Sequence, residues 1–147
     1  MLKFLNVFIY TSSVMLFLTA LAKLISSFGD VAILQEVDSV LLVSYRTEFI
    51  VVAVIEFIVV LCCFISMSSC FKLVLIAWLA TCFIVYRLGL LWVGSESYCP
   101  CLGNLTDTIG ISTKFADIAM KVLLFYLFVG SYTLLTCLWL DKRSQVK

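Results

Sequence analysis

Four apolar runs, each about as long as a bilayer is thick and each carrying at most one charge, limit what this chain can become. Residues 4–22 hold no charge, 49–67 hold only Glu56, 73–94 only Arg87, and 118–140 only Lys121. About 20 apolar residues suffice to cross hydrocarbon as a helix. Backbone in lipid must also satisfy its own hydrogen bonds, so runs of this length read as helices rather than strands. The expected fold is all-α: an integral membrane four-helix bundle in one transmembrane domain, residues 1–147, with helices over about 4–25, 48–67, 73–94 and 115–140. Composition agrees, with 64% hydrophobic and 13% charged residues against about 45–50% and 25% in soluble domains. A soluble enzyme, a disordered region and a nucleic-acid binder are thereby excluded. The absence of histidine removes His general bases, His-ligated haem and His-containing zinc sites. No metal site is expected.

Lys3 before an apolar run that ends Ala20-Leu21-Ala22 has the outline of a cleaved signal peptide. The run is longer than a usual signal core and continues through Leu24 and Ile25, so a retained first helix is expected. Lys3, Lys72, Lys142, Arg143 and Lys147 fall on one side of the bundle, while the opposite loops hold only Arg46 and Lys114. The positive-inside rule then puts both termini in the cytoplasm. Trp92 and Trp139 fall near opposite helix ends, where belt aromatics are found. In the first outer loop, Ile33, Leu34, Val37, Val40 and Leu41 recur at helical spacing, which predicts a short amphipathic helix on the outer surface.

The second outer loop reads Tyr98-Cys99-Pro100-Cys101-Leu102-Gly103-Asn104, with the only proline of the chain between two cysteines. Cysteines one residue apart can bridge only in a small constrained ring, and strain makes a bridge easier to reduce. Cys99 and Cys101 are therefore candidate catalytic residues of a redox-active dithiol. The competing reading is a structural bridge that pins the loop. Two thiolates leave metal coordination incomplete, and the sequon Asn104-Leu105-Thr106 carries no functional weight. Cys62, Cys63, Cys70, Cys82 and Cys137 lie within helices or on the cytoplasmic side and read as small packing residues.

Ala22-Lys23-Leu24 closing the first helix, Glu56 within the second, and Cys99-Pro100-Cys101-Leu102-Gly103 before the fourth resemble the MauE family of methylamine-utilisation proteins, within the wider DoxX-like group of four-helix membrane proteins. The likeness runs in order along nearly the whole chain. That family commonly shows Cys-Gly-Cys-Phe-Gly, so Pro100 and Leu102 make the loop stiffer here. The resemblance implies a role in maturing or exporting periplasmic methylamine dehydrogenase, whose small subunit is rich in disulfides.

The intramembrane charges form a second line of argument. At 1.5 Å per residue, Glu56 lies about 12 Å and Arg87 about 10 Å below the outer ends of their spans. Lys121, with Asp117 one turn before it, and Lys23 come to similar depths. Ionisable groups in hydrocarbon normally face the bundle interior with partners. The expectation is a polar layer of Lys23, Glu56, Arg87, Asp117 and Lys121 beneath the cysteine loop, with Glu56 paired to Arg87 and Lys121 or Lys23 contributing. A cation there would raise the thiolate fraction of Cys99 or Cys101, and Glu56 would accept or relay a proton. No cofactor is evident, and no residue pattern supports a quinone. The expected partners are the lipid bilayer and a periplasmic thioredoxin-like or disulfide-rich protein. Three functions fit: a thiol-disulfide redox or maturation factor, a non-enzymatic membrane subunit or assembly factor, and a small-solute or proton pathway.

Overall fold

The computed structural model describes residues 2–28, 32–35, 37–38, 40–65, 68–93 and 113–144. Among them the chain is all-helical apart from one isolated antiparallel bridge between Val37 and Ser44. The four long helices are α1 (Leu2–Ser27), α2 (Tyr45–Phe64), α3 (Ser69–Trp92) and α4 (Thr113–Ser144). Each is long and apolar enough to cross a membrane. The helices start earlier than apolarity alone indicates because their first turns are polar. Ser44 caps α2 by accepting the Thr47 amide, and Glu48 in the first turn faces the positive end of the helix dipole.

The bundle is assembled from two pairs: α1 packs chiefly on α2, and α3 on α4. A continuous core of Leu5, Phe8, Leu16, Val59, Val60, Leu73, Ile76, Leu79 and Leu127 joins the pairs. Large apolar side chains such as Phe4, Ile58, Val85 and Phe125 point outward. Outward apolar faces would be costly in water and suit lipid. With lipid outside, burial of hydrocarbon does little to hold helices together, so small residues and hydrogen bonds supply the adhesion. Ser12, Ser13 and Ser131 are buried at the seams. Thr11 meets the Tyr126 hydroxyl at 2.9 Å between α1 and α4, and Thr81 meets that of Tyr132 at 3.0 Å between α3 and α4. Gly130 lets α4 approach the Phe8 ring: a Cβ there would lie 2.7 Å from Phe8 Cζ and closer still to Cε2.

The amphipathic helix expected over residues 33–41 is not formed. A four-residue 3-10 turn, Ala32–Gln35, is followed by a tight reversal around Asp38. The Asp38 carboxylate takes the Val40 and Leu41 amides at 2.6 and 2.8 Å, and the Leu42 amide bonds to the Asp38 carbonyl. An aspartate that captures its neighbours' N–H groups offers the backbone an alternative to the helix, and apolar periodicity does not register that competition. Leu42 adopts a φ of 56° to complete the reversal. Leu34, fully buried against Tyr45 and Phe49, anchors the connection to α2.

Gly130→Ala should lower stability by about 1–3 kcal/mol, the usual range for overpacking. Phe8→Leu in the same protein should recover most of that loss. Thermal unfolding in detergent checks both, and an unaltered midpoint for Gly130→Ala would show that α4 does not approach Phe8 this closely.

Candidate functional site

Glu56, Arg87 and Lys121, the charges that interrupt the apolar spans, gather with Lys23 and Asp117 toward one end of the bundle, where α1 and α3 finish and α2 and α4 begin. Glu56 stands eleven residues into α2 from Tyr45, about 16 Å along its axis, and is 1% exposed. Its partner is Lys23, at 2.5 Å. The Thr19 hydroxyl adds a donor from one turn earlier on α1, at 3.4 Å. The Lys23 ammonium also lies 5.2 Å from the centre of the Phe83 ring, which ties the pair to α3. The second cluster sits between the other two helices: Arg87 reaches Asp117 at 3.1 Å, and Lys121 reaches the other oxygen of the same carboxylate at 2.6 Å.

The polar residues expected at one depth are therefore at one end, but they divide differently. Glu56 pairs with Lys23 and not with Arg87, and Arg87 shares Asp117 with Lys121. The cause is helix adjacency. Each ion pair forms inside a helix pair, and coincident depth carries no information on which helices are neighbours. Cys99 and Cys101 lie outside the described residues, as do the sequon and the rest of residues 94–112. Of the other cysteines only Cys63 packs in the core; Cys70 and Cys137 are exposed on the outside, and Cys82 is exposed at the border of the cavity described below. A small apolar residue is as acceptable toward lipid as toward protein, so composition could not separate the two positions. Trp92 ends α3 at the charged end, while Trp139 lies under the Arg143 guanidinium at 3.9 Å near the other end.

Sequence reasoning gave no role to Asp38, Glu48 or Tyr86, which complete this end. The Tyr86 hydroxyl donates to the second Asp38 oxygen at 2.6 Å, tying the α1–α2 connection to α3. Gly89, one turn on, leaves room for Val40, whose Cγ1 would lie 3.1 Å from an added Cβ. Burial by itself would push the Asp38 carboxyl up, but the Tyr86 hydroxyl and the Leu41 and Val40 amides outweigh it and hold the group below its ordinary value. The same hydroxyl stands beside Glu48. A phenol has one hydrogen to give and this one goes to Asp38, so Glu48 Oε2 is buried without a hydrogen-bond partner. The only available signals were Ser44 as a cap, which would bring Glu48 inside the helix, and an aspartate interrupting an apolar periodicity.

Beneath the connection lies a cavity of about 360 Å³, reached by side chains from all four helices and bordered by Lys23, Glu48, Glu56, Tyr86 and Arg87. Among the described residues no cluster of His, Cys, Asp or Glu is arranged to hold a metal ion. Comparison with family models, curated proteins and solved structures finds no match to the chain.

Stranding one charge of a buried pair costs about 3–5 kcal/mol, whereas removing both members costs far less. Lys23→Met and Glu56→Gln should each depress thermal stability by that order, and the double substitution should restore most of it. Additive losses would mean the two groups do not meet. For the connection, an acid whose pKa falls on folding contributes stability that is complete above its unfolded range and is lost as pH drops through its folded value. The protection of the Val40, Leu41 and Leu42 amides against hydrogen exchange, taken relative to the intrinsic rate at each pH, should be constant near neutrality and fall below about pH 4. Asp38→Asn should abolish that acid step. Tyr86→Phe should speed exchange at neutral pH about tenfold, the value of one hydrogen bond to a charged group.

Proposed function

We propose that the protein is a membrane-embedded thiol-disulfide redox or maturation factor for an extracytoplasmic partner, as its resemblance to the MauE family implies. The observation that supports this reading is connectivity. Cys99-Pro100-Cys101 belongs to the stretch between Val93, which caps α3, and Thr113, which begins α4. Those flanking residues stand at the end where Lys23, Arg87, Asp117 and Lys121 collect. Lys121 has the most exposed ammonium of the set, at 61% of its side-chain surface. A cation close to a thiol stabilises the thiolate, which is the attacking species.

In the exchange, the thiolate of one cysteine attacks a partner disulfide, forms a mixed disulfide and releases the partner's other sulfur as a thiolate. The second cysteine then attacks the mixed disulfide, leaving Cys99 and Cys101 bridged and the partner a dithiol. The reverse sequence delivers the disulfide to a reduced partner. Either way two electrons pass between the two sulfur pairs, and no other oxidant or reductant enters the step. The partner would be a thioredoxin-like or disulfide-rich protein such as methylamine dehydrogenase. The charged end would face the outside of a bacterial inner membrane, with both termini in the cytoplasm. A solute or proton pathway has less support, because Leu5, Leu16, Leu73, Ile76 and Leu127 fill the bundle with buried hydrocarbon on the other side of the charged layer.

Cys99→Ser and Cys101→Ser each remove one half of the exchange. One of them should accumulate a mixed disulfide with an extracytoplasmic protein, visible by non-reducing electrophoresis and lost on reduction. A membrane-impermeant thiol reagent should label the reduced natural pair in intact spheroplasts. Absence of any adduct in both variants would favour the non-enzymatic subunit. Labelling only after permeabilisation would reverse the orientation.

A further inference from the structure

The cavity at the charged end has the features of a ligand site that the cysteine chemistry does not use. Its volume of about 360 Å³ falls in the range of small-molecule pockets, which run from about 300 to 1,000 Å³. Its wall is largely hydrocarbon and aromatic, with Phe49, Ile55, Phe83, Leu123 and Leu127 among the contributors. Val51 on α2 and Trp78 on α3 border it while half exposed on the outside of the bundle, so the cavity opens sideways toward the bilayer. Glu56 and Lys23 at its edge are already paired with each other. Glu48 is not satisfied in the same way: it is 8% exposed, it borders the cavity, and its Oε2 has no hydrogen-bond partner. A buried acceptor left unmade costs its full desolvation, and native structures place a partner at nearly all such groups.

We infer that the cavity binds a membrane-borne amphiphile whose head, a hydroxyl or a protonated amine, donates a hydrogen bond to Glu48 while its hydrocarbon body lies between α2, α3 and α4. An anionic head is disfavoured, because it would face the unpartnered Glu48 oxygen, while Lys23 and Arg87, the two cations on the cavity wall, are engaged by Glu56 and Asp117. An acceptor-only head would leave Oε2 as unsatisfied as before. Entry from the side suits a ligand that partitions into lipid, and the apolar wall then accepts its chain without stripping polar groups of water. The inference uses no residue between 94 and 112 and stands or falls apart from the thiol chemistry.

Trp78 on the cavity wall supplies the readout. The chain has three tryptophans, so Trp92→Phe with Trp139→Phe leaves Trp78 as the only indole fluorophore. In phosphatidylcholine nanodiscs, 10-bromodecan-1-ol or 10-bromodecylammonium should quench Trp78 with a saturable component above the linear rise from bilayer partitioning. Glu48→Leu should raise the half-saturation concentration at least about tenfold, the loss expected for one hydrogen bond to a charged acceptor. Glu48→Gln separates the two heads: it retains an oxygen acceptor for the alcohol but removes the charge that holds the amine. In protein with Glu48 intact, decan-1-ol or decylammonium should displace the brominated probe and decyl methyl ether should not, which keeps the test open if Glu48→Leu fails to fold. Purely linear quenching by both donors, equal competition by the ether, or saturation unaffected by Glu48→Leu in folded protein would each overturn the inference.

Discussion

A carboxylate deep in an apolar helix has to be neutralised, and the ion pair of Lys23 and Glu56 does this for the whole bundle. Its partners come from α1 and α2, so satisfying Glu56 fixes those helices side by side and in register. The pair adds little net stability, because both ions give up water. Its strength lies in what it forbids, since any other arrangement of α1 and α2 strands a charge in hydrocarbon. Arg87, Asp117 and Lys121 impose the same condition on α3 and α4. Two helix pairs, each locked at the same end, are then joined by the apolar core and by the contact of Thr11 with Tyr126 between α1 and α4.

Concentrating polar groups at one end shapes that end. Long charged side chains meeting in pairs do not interdigitate as leucines do, and a cavity remains among them, roofed by the connection between α1 and α2. Asp38 holds the roof to itself through the Val40 and Leu41 amides and to α3 through Tyr86, with Gly89 admitting Val40. The opposite half, around Phe8 and Gly130, is close-packed. The molecule thus has a charged end and a close-packed end, and Cys99-Pro100-Cys101 belongs by connectivity to the charged one.

That asymmetry gives the functional reading its physical basis. A cation near sulfur raises the thiolate fraction that attacks in exchange, and Lys121 and Arg87 share one carboxylate at the end where α3 finishes and α4 begins. A side-opening cavity with an unsatisfied acceptor is a separate capacity of the same end. Neither depends on the other, although both are consequences of four helices delivering their charges to one depth.

The sequence by itself determined the four helices and the end at which their charges gather. Lengths of about 20 apolar residues interrupted by single ionisable groups leave no other solution in lipid, where the backbone must bond internally and charges must find partners. It also marked Lys23, Glu56, Arg87, Asp117 and Lys121 as one group. It did not determine who pairs with whom: depth is a one-dimensional quantity read along each helix, whereas pairing depends on which helices are adjacent and how each is rotated. The roof was misread for a related reason. Apolar spacing from Ile33 to Leu41 resembles a helix, and only the folded chain brings Tyr86 to Asp38 and lets that carboxylate outcompete helical hydrogen bonds. Nothing in the sequence set Glu48 apart. Tertiary structure made it exceptional, because the connection buries it while the one nearby phenolic hydrogen is committed to Asp38.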